Sequence, residues 1–349
     1  MTTAENLNRI IKAKADIKTA IENKGVAVGD LTIDSYAEKI GEIPQDASFS
    51  GLDFTVIGYD MTLTRELNDK FNADIQYSLQ KANEWDGNSP IFQVFQGDNK
   101  LVYAPLVDTS NVTRMSSAFG GCTNLTTVPL FNTQNVTTFS FMFSNCTILT
   151  TVPLFDTSNV KEMNYMFQHC TNLTTVPLFN TQNVTTMSSM FDNCKSLTTV
   201  PLFDTQNVTL MNSMFNVCTS LTTVPQFDTQ NVASMTSMFS NCTALESLPL
   251  FNCSNLTSIS LFFGFSEFKK LTTLGGFKDL KINWDEDYGL AKCPNLTYES
   301  VMNVINNLYD FRANGDETTT KKIKFHANSL ALLSDDDKAI ATNKGWILL

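Results

Sequence analysis

A period of 24 residues constrains this chain more than any other feature of its sequence. Cys122, Cys146, Cys170, Cys194, Cys218 and Cys242 follow one another at that step without a slip, and Phe119, Phe143, Phe167, Phe191, Phe215, Phe239 and Phe263 keep the same step. Asn111 opens a third column that runs through Asn135 to Asn255, and Pro129 a fourth that ends at Pro249. Self-similarity at a fixed period of this length means that each unit lies directly on the one before it, with like residues stacked on like. The fold class expected is an α/β solenoid.

In the unit from Asn111 to Phe131 the apolar positions are Val112, Met115, Ala118, Phe119, Cys122, Leu125, Val128 and Phe131. The first five have helical spacing, which predicts a helical turn or two, with Thr109 and Ser110 placed to accept from the free N–H groups at its start. The second half, Leu125 to Phe131, is β-branched and predicts a strand of about four residues. Proline has no N–H to give to a ladder, so the proline column is expected to mark where each short strand ends, and the sheet to be one narrow ribbon. The phenylalanine column stays aromatic from Phe131 to Phe251 whereas Leu130 becomes Gln226 in one copy, which predicts a buried ring and a partly exposed neighbour. One unit alone cannot bury enough apolar surface to offset the entropy of ordering its own backbone, so the units must stack.

The pattern N-V-T-x-M-x-x-M-F-x-N-C-x-x-L-T-T-V-P-x-F-D-T resembles the leucine-rich repeats of the BspA-like bacterial surface proteins, over roughly residues 101–293. The resemblance implies a right-handed solenoid with a narrow parallel β-sheet on one face, and a role in adhesion or recognition rather than catalysis. The pattern loosens at its end, where Ile259 stands in the column of Met187 and the step from Phe251 to Phe277 widens to 26, leaving the register of the last one or two turns open.

With 349 residues and 42% hydrophobic content, the chain has room for a large core and for more than one domain. Lys and Arg number 24 against 35 Asp and Glu, a net charge of −11, and no basic cluster is interleaved with aromatics, so nucleic acid is not an expected partner. The first residues lack a basic region followed by an apolar core, and no apolar run reaches about 20 residues, so neither a secretion signal nor membrane insertion is expected. The six ladder cysteines sit in apolar context without paired spacing and are expected to be free, buried thiols. Cys253 and Cys293 lie outside that column, and Cys293-Pro-Asn-Leu296 echoes Cys122-Thr-Asn-Leu125, as if closing a diverged final turn.

The expected organisation is a helical docking or oligomerisation segment at 1–43, a linker at 44–50, a cap with a first partial repeat at 51–107, the solenoid at 108–293 and a second cap at 294–349. Thr3 can cap a helix over 3–23 that carries Leu7, Ile10, Ile17 and Ile21 as an apolar stripe interrupted by Lys14. Forty-odd residues could hardly bury that stripe alone, which points to a homo-oligomer. From Ile11 through Tyr36 to Ile43 the segment is similar to the N-terminal segments of virion fibre and tail proteins from phages of gut bacteria, including crAss-like phages. That resemblance implies a trimer, docking on other virion proteins, and assembly in the host cytoplasm with no export signal. At the other end a helix is expected from Thr297 to Asp310, a polar loop at 315–322, and a last helix capped by Ser334, opened by Asp335, Asp336 and Asp337 and ended by Gly345.

Chemistry is sparse. His169 and His326 belong to no triad or metal motif, no glycine-rich phosphate loop is present, and the repeats bring no carboxylate pair together, so neither an enzyme nor a cofactor is expected. If Val128 points inward, Thr127 points outward, and Thr127, Thr151, Thr175, Thr199, Thr223 and Ser247 form a hydroxyl-rich ribbon. Such a ribbon is either a plain solvated face or a binding surface for a host glycan or protein. The functional expectation is a non-enzymatic virion fibre or appendage subunit that displays this surface for host attachment. The alternatives are a virion spacer without a ligand and a BspA-like adhesin on a bacterial cell surface.

Overall fold

The computed structural model describes residues 95–105 and 107–349, with parts of a helical stretch within 73–81. The chain divides into two units, Met1–Lys70 and Phe71–Leu349, and the second carries the repeats. The expected helix with Leu7, Ile10, Ile17 and Ile21, the linker and most of the first cap lie outside the described residues.

Consecutive 24-residue coils are joined by backbone hydrogen bonds, with a regular alternation in the segment expected to be helical. Ser117, Phe119 and Gly121 donate their N–H groups to Ser140, Met142 and Ser144 of the next coil at 2.9, 2.9 and 2.7 Å. Between them Ala118, Gly120 and Cys122 donate back three residues, to Met115, Ser117 and Phe119. The same alternation recurs in later coils, as in Phe191 to Met214 and Cys194 to Phe191. It corrects the helical reading: consecutive three-residue turns reproduce the apolar spacing of a helix, but every second N–H is spent on a neighbour. Two columns make this possible by adopting positive φ, one through Ser117, Phe141, Tyr165, Ser189, Ser213 and Ser237, the other through Gly121, Asn145, His169, Asn193, Val217 and Asn241. Asparagine, histidine and glycine are at ease in that region, whereas Phe141, Tyr165 and Val217 are held there against their preference by the inter-coil bonds.

The segment expected to be a strand differs as well. In the central coils its Leu-Thr-Thr part gives one inter-coil bond, such as Thr174 N–H to the Thr150 carbonyl at 3.1 Å. Phe179, Phe203 and Phe227 then donate to Pro177, Pro201 and Pro225 two residues earlier, all at 3.0 Å, in tight three-residue turns that replace ladder pairing. Continuous parallel pairing appears only at the end of the array, between β1 (Ser247–Asn252) and β2 (Thr273–Lys278). There Pro249 lies inside β1 rather than at its end, which an edge strand tolerates. Gly275 faces it across the pair, where a Cβ would come within 2.4 Å of the Leu250 nitrogen. A second row of parallel contacts, single bridges Thr138 to Glu162, Glu162 to Thr186, Thr186 to Leu210 and onward to Ser258, follows the asparagine column.

Side chains stack as the period requires. Phe119, Phe143, Phe167, Phe191, Phe215 and Phe239 form a fully buried ladder with ring centroids 5.5 to 5.8 Å apart and planes within 10° of parallel. That geometry is offset stacking, favourable beyond the area it buries. Phe131, Phe155, Phe179, Phe203 and Phe227 are buried in a second column beside it, and Leu125 and its equivalents fill the space between. All eight cysteines are free and buried, and each ladder thiol donates to the carbonyl of a phenylalanine 27 residues earlier, as Cys194 Sγ does to Phe167 O at 3.0 Å.

Two polar ladders hold the bends. Thr133, Thr157, Thr181 and Thr205 are buried, and each hydroxyl donates to a carbonyl of the following coil at 2.7 to 2.8 Å. Thr109 does the same to Asn132, so it bonds forward to a neighbour and does not cap a helix. Asn135, Asn159, Asn183, Asn207, Asn231 and Asn255 send their amides backward to carbonyls of the preceding bend at 2.7 to 2.8 Å. Asp108 and Asp156 accept from Ser110 and Ser158 two residues on, in Asx turns, and these backbone bonds hold both carboxyls below the usual aspartate range.

Beyond β2 the chain leaves the repeat. Helix α1 (Tyr298–Asn307) is capped by Thr297 and buries Val301, Val304 and Ile305. The expected polar loop at 315–322 runs into a strand, β3 (Lys321–Ile323), after which come α2 (Ala327–Ala331), α3 (Asp335–Asn343) and β4 (Trp346–Leu348). β3 pairs with β4 in parallel, and Trp346 at the start of β4 is buried, its indole N–H donating to Tyr309 O at 2.9 Å. Ser334 and Asp337 form a reciprocal capping box at the start of α3.

Candidate functional site

The tight turn at each proline decides what one face of the stack displays. Phe179, drawn back to Pro177, points inward and is buried, and the leucine between them is turned out. Leu130, Leu154, Leu178 and Leu202 are 61%, 59%, 60% and 59% exposed, one per coil. Coil spacing of about 4.8 Å makes them a continuous apolar stripe. It ends at Gln226, whose amide donates to Leu250 O at 2.5 Å.

The threonine column runs beside this stripe, three residues ahead of it in each coil. Thr127, Thr151, Thr175, Thr199 and Thr223 are exposed, and Ser247, inside β1, is half-buried with its hydroxyl bonded to Thr223 at 3.0 Å. Val152, Val176, Val200 and Val224 next to them point inward. The face is therefore amphipathic, with hydroxyls in one row and isobutyl groups in the next. No charged side chain belongs to either row, so affinity here would come from shape, apolar contact and hydrogen bonding. The threonines are legible from the sequence pattern and the leucines only as partly exposed neighbours; the Leu-to-Gln change at 226 is the signal that the column faces solvent.

The remaining sequence candidates are structural. His169 is half-buried at φ 59, with Nδ1 2.6 Å from the Asn193 amide of the next coil. It is a member of the positive-φ column. Next to it Gln168 and Asn216 both donate to Asp192, at 3.0 and 2.8 Å. The bonds Asp337 accepts from the Ser334 hydroxyl and N–H in the capping box, with a smaller contribution from Tyr298, keep its carboxyl below the usual range. Among the described residues no group of three or more His, Cys, Asp or Glu is placed to hold a metal ion.

No curated protein matches the chain. Among solved structures, a leucine-rich cell surface protein from Faecalibacterium prausnitzii aligns at 16% identity over 72% of this chain and 84% of its own, with a TM-score of 0.24. A family model described as "Mycoplasma protein of unknown function, DUF285" matches residues 89–198 and again 174–273. The two matches overlap and together run along the coils for more than half of the sequence, so this chain belongs to the DUF285 family.

Proposed function

We propose that this chain is a non-catalytic recognition protein of the bacterial cell surface, a leucine-rich-repeat-type right-handed solenoid that binds an extended protein or glycan along its threonine and leucine face. The observation that carries the reading is the exposed stripe Leu130, Leu154, Leu178 and Leu202 beside Thr127, Thr151, Thr175 and Thr199. Exposing four large apolar side chains in a row gains nothing for the fold, since burying each is worth about 1.5–3 kcal/mol. Contiguous exposed apolar rows mark interaction surfaces. A ligand lying along the stack meets the same leucine and hydroxyl every coil, so weak contacts add over several repeats.

The family's description, which is of a bacterial protein, supports the bacterial setting over the virion setting. The virion reading rests on the resemblance of residues 11–43 alone. In either setting residues 1–43, with Leu7, Ile10, Ile17 and Ile21, serve as the attachment and oligomerisation device. Light scattering on the full chain and on one lacking residues 1–43 tests this, and equal monomer masses would refute it.

The recognition reading is tested by binding of the purified protein to intact cells and to isolated surface glycan, in parallel with a Leu154→Glu/Leu178→Glu variant. Both side chains are solvent-exposed, so the variant should melt like the parent. Loss of binding in the variant alone supports the reading. Equal binding by both proteins, or none by the folded parent, refutes it.

A further inference from the structure

One column of the stack is mostly serine, and the two aromatic residues it holds leave an open ring face beside a notch. Phe141 and Tyr165 occupy the same column in successive coils, and their rings stack at 4.4 Å with planes 8° apart. In the coil before them that position is Ser117. Tyr165 therefore covers one face of Phe141, and the other looks over a serine; the residue is 39% exposed. Beneath that free face the neighbouring columns are also reduced. Gly120 and Gly121 stand where the next coils carry Ser144 and Asn145, then Gln168 and His169. A Cβ on Gly120 would lie 3.1 Å from Phe141 O, and one on Gly121 3.2 Å from Gly97 Cα, so the floor is bare backbone.

The result is a notch of about 380 Å³, walled by Phe141 and rimmed by Gln96, Asn145 and Gln168. Among the described residues no charged side chain lines it. Anions and cations thus find no counter-charge there. What the notch offers is one flat aromatic face, the Gln96 amide, the hydrogen-bonding capacity that Asn145 and Gln168 keep beyond their bonds to Ser144 Oγ at 3.1 Å and Asp192 at 3.0 Å, and a hydroxyl at Ser117. A pyranose has the matching chemistry, since its C–H face stacks on an aromatic ring while its hydroxyls bond to amides. A concave site of this size, with one apolar wall and a few convergent polar groups, suits a small ligand.

We propose that this notch binds a single neutral pyranose unit, free or at the end of a glycan, with Phe141 as stacking platform and Gln96, Asn145 and Gln168 as hydroxyl partners. The site is distinct from the threonine and leucine face and does not depend on the reading given to that face. A ring at position 117 would stack on Phe141 and fill the notch. Position 117 has φ 58, and the same column holds Phe141 at φ 60 and Tyr165 at φ 58, so the backbone there accepts an aromatic residue.

The test uses saturation-transfer NMR and titration of the full chain with a panel of methyl pyranosides, gluco, galacto, manno and N-acetylglucosamine, together with a uronic acid as charged control. At least one neutral glycoside should bind, with a Kd on the order of millimolar as for a single small unit. Ser117→Phe should melt no lower than the parent and lose binding at least about tenfold, by covering the platform. Phe141→Ser should lose binding to the same extent. Binding that survives Ser117→Phe, preference for the uronic acid, or no binding by any glycoside of the panel would each overturn the assignment.

Discussion

Raising the pH from about 8 to about 9.5 should destabilise the stack steeply, because its thiols are buried as neutral groups. Burial pushes the Cys122 thiol up to about 12, and it pushes Cys146, Cys170, Cys194, Cys218, Cys253 and Cys293 far above their ordinary value. In the unfolded chain the same thiols titrate near about 8.5. The unfolded state therefore releases protons first as the pH rises. Stability is fully present below about 8.5 and is lost above it, until the folded thiols themselves would ionise. Each thiol contributes about 1.4 kcal/mol per pH unit in that window. Seven together approach about 10 kcal/mol at one unit above the unfolded value, as much as the whole stability of many domains. Urea melts at about pH 7.5, 8.5 and 9.5 should show the midpoint falling across the last step. Ultraviolet thiolate absorbance should rise with unfolding and not before it. Cys194→Ala should flatten the dependence by about one thiol's share. Thiolate appearing in a chain that is still folded at about pH 9.5, or a midpoint independent of pH, would refute the argument.

Three further outcomes are expected of the ladders. Phe191→Ala removes a ring stacked on Phe167 and Phe215 at 5.7 and 5.6 Å and should cost about 3–5 kcal/mol by urea denaturation, with the thermal transition losing cooperativity around that coil. Thr205→Val keeps the shape of a buried side chain but leaves the Asp228 carbonyl without its 2.7 Å donor, and should cost about 1–3 kcal/mol in the same assay. Excising residues 160–183, one whole period, should leave a folded protein with a native-like circular dichroism spectrum, whereas excising half that length should not, because only the whole period returns every column to register.

The repeat was legible because a strict period is a statement about contacts. If Phe167 and Phe191 lie one coil apart in a stack, their rings must meet, and the same holds for every column. Burial could be read in the same way: the columns that never turn polar, Phe119, Cys122, Leu125 and Phe131 with their copies, are the buried ones. Composition made the cysteines free thiols, since an apolar column of small residues has no partner spacing to pair them.

Backbone conformation was not legible, because the same side-chain spacing serves two hydrogen-bond patterns. Met115, Ala118, Phe119 and Cys122 would share a face on a helix, and they also share one on consecutive three-residue turns. Only the neighbouring coil, accepting every second N–H, selects the turns, and a local reading cannot see it. The strand expected over Leu125–Phe131 failed for a related reason: the bond from Phe179 to Pro177 competes with ladder pairing, and the outcome depends on what the adjacent coil offers. That outcome turns Leu130, Leu154, Leu178 and Leu202 into a surface stripe. The Phe141 notch is further still from the sequence, since a serine at 117 and glycines at 120 and 121 become a cavity only when the next coil sets an aromatic face above them. The sequence by itself determined the period, the stacking of like on like and the buried columns, because these follow from side-chain chemistry repeated at a constant step. The tertiary structure alone decided where each backbone N–H goes, and with it the turns, the exposed leucines and the notch, because those bonds are made between coils rather than within them.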